Sequence, residues 1–184
     1  MRRTAICLPL ALALLLTGCG GDEKQRVQEF EQQTAAAGSI SFTAQVRAEY
    51  EDKTAQFKLY YESDGDECTV EVVEPELIAG IKARVTGDAA ALEYEGAILD
   101  IGKLDARGLC PMSVLPLLVD AMRTAYVELA WREDGMLAAR LVPDDDYTVT
   151  VRLDEQTLAP QSAEVIFRER TVAFVQISDW NAEG

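Results

Sequence analysis

The sequence predicts a mainly β protein with helices (α+β), in which a curved antiparallel half-barrel of about 11 strands is closed by an apolar lid helix. Residues 39–178 contain many short segments in which apolar and polar side chains alternate, the period of a half-buried strand. Residues 112–123 are instead apolar around most of a helix, which must therefore be buried. One curved sheet with this helix on its concave face buries both sets, whereas the alternative two-sheet sandwich leaves the helix no obvious place.

The first 18 residues have the composition of an export signal. Arg2 and Arg3 give a positive start, and an apolar run follows at residues 8–16. This run is roughly half of the about 20 residues that a membrane-spanning helix needs. We therefore predict that residues 1–18 are a signal peptide that is removed during export.

The four residues at the end of this signal, Leu16-Thr17-Gly18-Cys19, resemble the lipobox of bacterial lipoproteins at every position. The resemblance implies cleavage between Gly18 and Cys19 and a diacylglyceryl group on the Cys19 thiol, with a further acyl chain such as palmitate on its amino group. Two acyl chains anchor a protein stably, whereas one binds only marginally. The alternative is an ordinary signal peptide followed by a chance cysteine.

The charge of the chain limits its partners. The full chain has 17 basic and 32 acidic residues, and loss of Arg2 and Arg3 leaves 15 basic residues and a net charge of −17. Nucleic acid and anionic headgroups repel such a polyanion. We therefore expect no nucleic-acid partner, no cofactor beyond the covalent lipid, and attachment to the extracytoplasmic face of the cell membrane through Cys19.

Residues 19–38 are predicted to form a lipidated tether and an N-terminal helix. The helix covers residues 22–37, and Gly38 follows where a C-terminal cap belongs. The thin apolar stripe of this helix consists of Val27, Phe30 and Thr34. Such a stripe indicates a helix that lies on the surface of the remaining domain.

Residues 39–184 are predicted to form the half-barrel, with about six strands before the apolar helix and about five after it. The first strands are expected at residues 39–50, 55–61 and 68–72, with shorter ones within 81–104. The later strands are expected at residues 126–132, 136–142, 147–153, 161–168 and 171–178. Between them, Ser113 is the expected N-cap of the apolar helix, and Pro116 falls in its first turn, where proline is tolerated.

The residues that carry chemistry argue against an enzyme. The chain has no histidine, which excludes Ser-His-Asp and Cys-His sites, and it has no glycine-rich phosphate loop. The acidic segments 64–67 and 144–146 lack the spacing of a calcium-binding loop and are expected to form turns, so no metal site is predicted. Once Cys7 is removed and Cys19 is lipidated, Cys68 and Cys110 remain as one disulfide or as two free thiols, and both alternatives stay open.

The element order and the lipobox together resemble the LolA/LolB-like lipoprotein-carrier superfamily. Local features include the strand end Val72-Val73-Glu74-Pro75 that leads to Leu77-Ile78-Ala79-Gly80, and Pro111-Met112-Ser113 before the lid helix. The resemblance implies an incomplete β-barrel with an apolar cavity under a helical lid. The soluble carrier of this superfamily has no lipid anchor, so the chain is not its direct equivalent.

The same resemblance suggests two sets of hydrophobic contacts. Leu77 or Ile78 is a candidate for touching membrane or ligand from a protruding loop, the alternative being burial under the barrel rim. In the lid helix the candidates are Leu115, Leu118 and Met122, which either fill the core or cap a cavity.

The predicted function is a membrane-anchored extracytoplasmic lipoprotein, without enzymatic activity, that holds a lipid or a lipoprotein acyl chain in an apolar cavity. The alternative is an interaction scaffold for an envelope or spore cell-wall enzyme. The partner is accordingly a hydrophobic ligand or an envelope protein.

Overall fold

The computed structural model describes residues 21–50, 52–87, 89–102 and 110–184. The predicted signal peptide, with Gly18 and Cys19, lies outside the described residues. The described chain forms one antiparallel sheet of 11 strands, two α-helices and a short 3-10 helix. The helices and the first six strands are α1 (Gly21–Ala36), α2 (Pro111–Thr124), β1 (Ser39–Glu49), β2 (Thr54–Asp64), β3 (Glu67–Glu74), β4 (Lys82–Thr86), β5 (Ala89–Tyr94) and β6 (Ala97–Gly102). The other strands are β7 (Tyr126–Glu133), β8 (Met136–Val142), β9 (Tyr147–Asp154), β10 (Pro160–Phe167) and β11 (Arg170–Glu183).

The sheet order is β6-β5-β4-β3-β2-β1-β11-β10-β9-β8-β7. The pairing of β1 with β11 joins two meanders, and β6 and β7 form the two edges of an unclosed sheet. The predicted order of one helix, six strands, an apolar helix and five strands is confirmed, and the sandwich alternative is wrong. The largest difference in bounds is at the C-terminus, where β11 continues to Glu183 because its ladder with β1 runs to the pair Ser39 and Glu183.

The sheet curves around α2. This helix packs against β2 and β3 in one half of the sheet and against β8 and β10 in the other, which a flat sheet would not allow. The side chains of Leu115, Leu118 and Met122 are fully buried in the core that this arrangement encloses. The ring of Phe42 extends that core, with its centroid 4.9 Å from that of Tyr61 and 5.3 Å from that of Trp180.

The predicted start of α2 is wrong. The helix begins at Pro111 with Cys110 as N-cap, and the Ser113 hydroxyl donates a hydrogen bond to the Cys110 carbonyl at 2.7 Å instead of capping. Pro116 therefore lies in the second turn, where it leaves one helical hydrogen bond unmade. Both prolines suit a first turn, and Pro111 occupies that position because its missing N–H and fixed φ cost nothing there.

Helix α1 buries its predicted stripe of Val27, Phe30 and Thr34 and packs against α2, β7 and β8. The prediction that Gly38 caps it is wrong, because α1 ends at Ala36 and Gly38 does not adopt a left-handed conformation. The Gly38 carbonyl instead accepts a hydrogen bond from the Gly65 amide at 3.0 Å, which ties the start of β1 to the turn between β2 and β3. Within the described ranges, no helix has both the length and the apolar character needed to span a membrane.

Candidate functional site

Exposed apolar side chains gather in one part of the sheet, which we call the N-terminal wing: strands β3–β6 and the segments that join them. Among the described residues, five of the seven large hydrophobic side chains that are exposed lie in this wing. They are Leu77 (92% exposed), Ile98 (72%), Leu99 (62%), Tyr94 and Val73. Exposed apolar side chains that gather in one part of a folded domain are typical of an interaction site.

The meander brings these side chains to related positions. Because the strands alternate in direction, the connection between β3 and β4 and the turn between β5 and β6 share one end of the sheet. Leu77 lies in the first of these, within the 3-10 helix Glu76–Ile78, and Tyr94 ends the strand that leads to the second. The wing therefore presents its apolar residues along one end and one edge.

The structure separates the two residues proposed for the loop contact. Ile78 packs against the hydrophobic core, and its amide donates a hydrogen bond to the Pro75 carbonyl at 3.1 Å. Leu77 has no such cover and extends into solvent. The loop is held in place by the Gly80 amide, which donates to the Val72 carbonyl at 2.8 Å. Ile78 is thus the residue that packs under the barrel rim, and Leu77 remains the candidate for contact with membrane or ligand.

The outer side of β6 pairs with no strand in the described part of the chain. Natural sheets protect such an edge with lysine, proline or a bulge that twists it away. Strand β6 has the sequence Ala97-Ile98-Leu99-Asp100-Ile101-Gly102, without lysine or proline, and every residue except Ile101 is exposed. Its register against β5 shifts between Asp100 and Gly102, so an irregularity interrupts only the end of the edge, and Ala97–Asp100 remain regularly paired. This regular part offers backbone hydrogen-bonding groups beside apolar side chains, which is what an added strand requires.

The opposite edge, β7, is supported by α1. Arg132 donates hydrogen bonds to Asp22 at 2.8 Å, to Glu23 at 2.7 Å and to Glu155 at 2.8 Å. These carboxylates, Asp22 first, raise the pKa of the Arg132 guanidinium further above its ordinary value. Nearby, the Lys24 ammonium lies 5.4 Å from the centre of the Tyr126 ring. The start of α1 is thereby tied to this edge of the sheet.

The described side chains of α2 that face the sheet are packed in the core. Leu115, Leu118 and Met122, the proposed cavity contacts of the lid helix, have no exposed surface and pack within the core. None of these three residues lines the groove across β1, β2 and β9–β11 or the concavity beside the start of β1. In this structure α2 is therefore a core helix, and an acyl chain beneath it would have to displace its side chains.

Both remaining cysteines are free thiols, so the disulfide alternative does not describe this structure. Cys110 stands before the first turn of α2, whereas Cys68 lies within the electrostatic reach of Arg123 in the last turn. The helix between them is about 20 Å long, far beyond the separation that a disulfide bridges. Burial raises the pKa of the Cys68 thiol, which leaves it protonated and poorly suited to act as a nucleophile.

The acidic segments behave as turns, as predicted. The Asp144 carboxylate accepts hydrogen bonds from the amides of Asp146 and Tyr147 at 2.8 and 2.9 Å, and Asp146 pairs with Arg168 at 2.8 Å. In the other segment Gly65 adopts the left-handed conformation of a tight turn, with φ of 56°. Within the described ranges, no three metal-ligating side chains form a cluster.

No protein-family model matches the chain, and no curated protein matches it in sequence. Solved structures do align with it. An uncharacterized conserved protein from Thermus thermophilus is 9% identical, with 88% of each chain covered and a TM-score of 0.51. A DUF1329 family protein from Desulfovibrio piger is 11% identical, covering 88% of this chain and 92% of that one, with a TM-score of 0.50.

A LolA superfamily protein from Nitrosomonas europaea also aligns, at 11% identity over 88% of this chain and 94% of that one, with a TM-score of 0.47. The two structures with TM-scores of 0.50 and above share the fold of this chain. At such low sequence identity a shared fold does not indicate a shared function.

Proposed function

We propose that this chain is a lipid-anchored, extracytoplasmic interaction protein, without enzymatic activity, that docks an envelope protein on its N-terminal wing. The observation that carries the proposal is the edge strand β6, whose outer side pairs with no strand among the described residues and on which Ile98 and Leu99 are more than half exposed. A partner segment in extended conformation adds to this edge through backbone hydrogen bonds and packs against these two side chains. Leu77 and Tyr94 extend the apolar contact beyond the strand.

The lipid on Cys19 supplies the location in this proposal. Only two residues, Gly20 and Gly21, separate Cys19 from Asp22, so even an extended chain spans only about 10 Å between them. Asp22 is in turn hydrogen-bonded to Arg132 on β7. The tether thus holds the domain close to the membrane surface, where an envelope partner is concentrated. A Cys19→Ser variant is expected to lose its lipid and leave the membrane fraction.

An acyl chain held beneath α2 is the second candidate function. The observation that favours it is the apolar character of this helix. If the helix moved outward, the buried side chains of Leu115, Leu118 and Met122 would line the cavity that opens. The complete burial of these three side chains makes it the weaker candidate. Lipid extraction and mass spectrometry of the purified chain discriminate between the two: a stoichiometric noncovalent lipid supports the carrier, and its absence supports the interaction protein.

Site-specific photocrosslinking in intact cells tests the docking site. A photoreactive amino acid at Ile98 is expected to give one discrete protein adduct, because this side chain lies in the proposed interface. The same group at Leu129, which is 49% exposed on the opposite edge, is the matched control and is expected to give none. Equal labelling from both positions, or labelling from Leu129 alone, would refute docking at β6.

A further inference from the structure

A second surface, distinct from the apolar wing, lies on the outer face of the sheet away from α2. It is a groove of about 610 Å³ that crosses β2, β1, β11, β10 and β9. The ladder places Gln45 opposite both Gln176 and Lys58, and it places Arg47 opposite both Phe174 and Gln56. Two neighbouring cross-strand rows of side chains, polar except for Phe174, therefore form its floor.

The glutamines in the groove are not used by the fold. Gln45, Gln56 and Gln176 are exposed, and in the described part of the chain their amides form no hydrogen bond with another protein group. Each amide offers a donor and an acceptor side by side. Cross-strand neighbours lie about 5 Å apart, so Gln45 and Gln176 present a closely spaced pair. Hydroxyl groups, which both donate and accept, are the natural complement of such a pair.

The groove carries less net negative charge than the rest of the chain. Its lining contains three basic side chains, Arg47, Lys58 and Arg152, and one acidic side chain, Glu74. Each basic side chain pairs with a glutamate: Arg47 with Glu49, Lys58 with Glu74 and Arg152 with Glu133. The groove is therefore close to neutral on a protein whose acidic residues outnumber its basic ones by 32 to 17, and a bound carboxylate meets less repulsion there than a uniformly acidic surface would impose.

Both arginines are held in position with donors to spare. Arg47 pairs through Nε with Glu49 at 2.9 Å, and its guanidinium lies 4.3 Å from the centre of the Phe174 ring. Arg152 donates from Nε to Glu133 at 2.6 Å. A guanidinium has five donors, and these contacts leave the two terminal nitrogens of each arginine for a carboxylate.

We propose that this groove binds a saccharide chain that bears carboxylate groups, with the glutamine amides meeting its hydroxyls and Arg47 and Arg152 meeting its carboxylates. A peptide is the poorer ligand for this surface. The strands beneath the groove lie inside the sheet, so their backbone groups are already paired and cannot bind a peptide backbone. A ligand here is recognised through side chains alone, which suits a hydroxyl-rich chain.

Isothermal titration calorimetry on the full lipid-anchored chain in a nonionic detergent tests the proposal. The probes are a galacturonic acid hexamer, the neutral glucose hexamer cellohexaose, and a hexaglutamate peptide as a matched anion. Saturable binding is expected for the galacturonic acid hexamer only, and it is expected to weaken as salt is raised.

Two pairs of variants connect the binding to the groove. Arg47→Ala and Arg152→Ala are each expected to weaken binding about tenfold or more, as loss of a charge-assisted hydrogen bond does. Arg140→Ala is the matched control, because Arg140 also pairs with a glutamate but lies outside the groove lining, and it is expected to bind normally. Gln45→Ala with Gln176→Ala is expected to weaken binding without disturbing the ion pairs, and Gln32→Ala on α1 is its control.

Three results would overturn the proposal: no saturable binding of the galacturonic acid hexamer, equal affinity for hexaglutamate, or an Arg140→Ala variant that loses affinity as much as the groove variants do. Circular dichroism of each variant separates lost binding from lost folding. Ile98→Lys, which alters the wing, is expected to leave saccharide binding unchanged. Failure of the groove and failure of docking at β6 are therefore distinguishable.

Discussion

The two edge strands of the sheet, β7 and β6, differ in the contacts that support them. At β7, α1 packs alongside, and Arg132 connects the start of that helix to the strand through three carboxylates. At β6, the described residues provide neither a helix nor an ion-pair cluster, and apolar side chains face solvent. An edge that the fold supports serves stability, whereas an edge left bare and apolar is available for a partner. Four changes test this contrast, in order of their expected effect on stability.

The largest effect is expected in the core that both halves share. Leu118→Ala removes a fully buried side chain and leaves a cavity that the packed sheet cannot fill, at a cost of about 3 kcal/mol in the free energy of unfolding. Urea denaturation followed by circular dichroism measures it. Leu77→Ala, at a nearly fully exposed position, is the control and is expected to stay within about 0.5 kcal/mol of the parent. A loss of less than about 1 kcal/mol for Leu118→Ala would indicate a loosely packed interior, as a lipid carrier needs.

A smaller and local effect is expected at the supported edge. Arg132→Ala removes the contacts to Asp22, Glu23 and Glu155, so the first turn of α1 is expected to open more often. Hydrogen exchange followed by mass spectrometry should show faster exchange in α1 and unchanged exchange in β5 and β6. Equal acceleration in both regions would contradict the assignment of Arg132 to the β7 edge.

Acidic pH is expected to destabilise the protein at the same β7 edge. Hydrogen bonds from the Trp131 indole and then from Arg152 hold the pKa of Glu133 below its usual value. The ionised Glu133 carboxylate therefore stabilises the fold above its unfolded-state pKa, and this stabilisation is lost as the pH falls through the lower pKa of the folded state. Glu133→Gln is therefore expected to be less stable than the parent at pH 7 and equal to it at strongly acidic pH. Denaturation at both pH values checks this, and a difference that persists in acid would contradict it.

The smallest effect on stability is expected at the bare edge. Ile98→Lys places a charge on a side chain that is 72% exposed, so the free energy of unfolding should change by no more than about 0.5 kcal/mol. Lysine is also the residue that natural edges use to prevent strand addition, so the adduct formed by a photoreactive group at neighbouring Leu99 is expected to disappear. A clear loss of stability would show that Ile98 serves the fold, and persistence of the adduct would place the partner elsewhere.

Much of this architecture was predictable because it follows from the periodic alternation of apolar and polar side chains. Strand β8 has its predicted bounds, Met136–Val142, and the alternating pattern of β1 matches its buried and exposed faces. The start of α2 was not predictable, because Pro111 and Pro116 both satisfy the preference for proline in a first turn and only tertiary packing selects between them.

The candidate sites were predictable only in part. Leu77 is exposed whereas its neighbour Ile78 packs against the core. Which of the two packs inward depends on the orientation of the 3-10 helix, which the sequence pattern does not predict. The groove on the outer face arises from cross-strand register, which brings Gln45 beside Gln176 although they lie at opposite ends of the domain's sequence. Its only sign in the sequence is that Gln45 and Arg47 occupy outward positions of an alternating strand.

Hydrogen exchange at the two edges decides whether a partner strand binds at β6. Amide exchange in β6 and β7 would be measured on the chain in envelope vesicles and again after purification in detergent. We expect β6 to be protected in vesicles and to lose that protection on purification, because the partner strand has been removed. Strand β7 should exchange at the same rate in both preparations. Equal exchange of β6 in the two preparations would contradict docking at this edge.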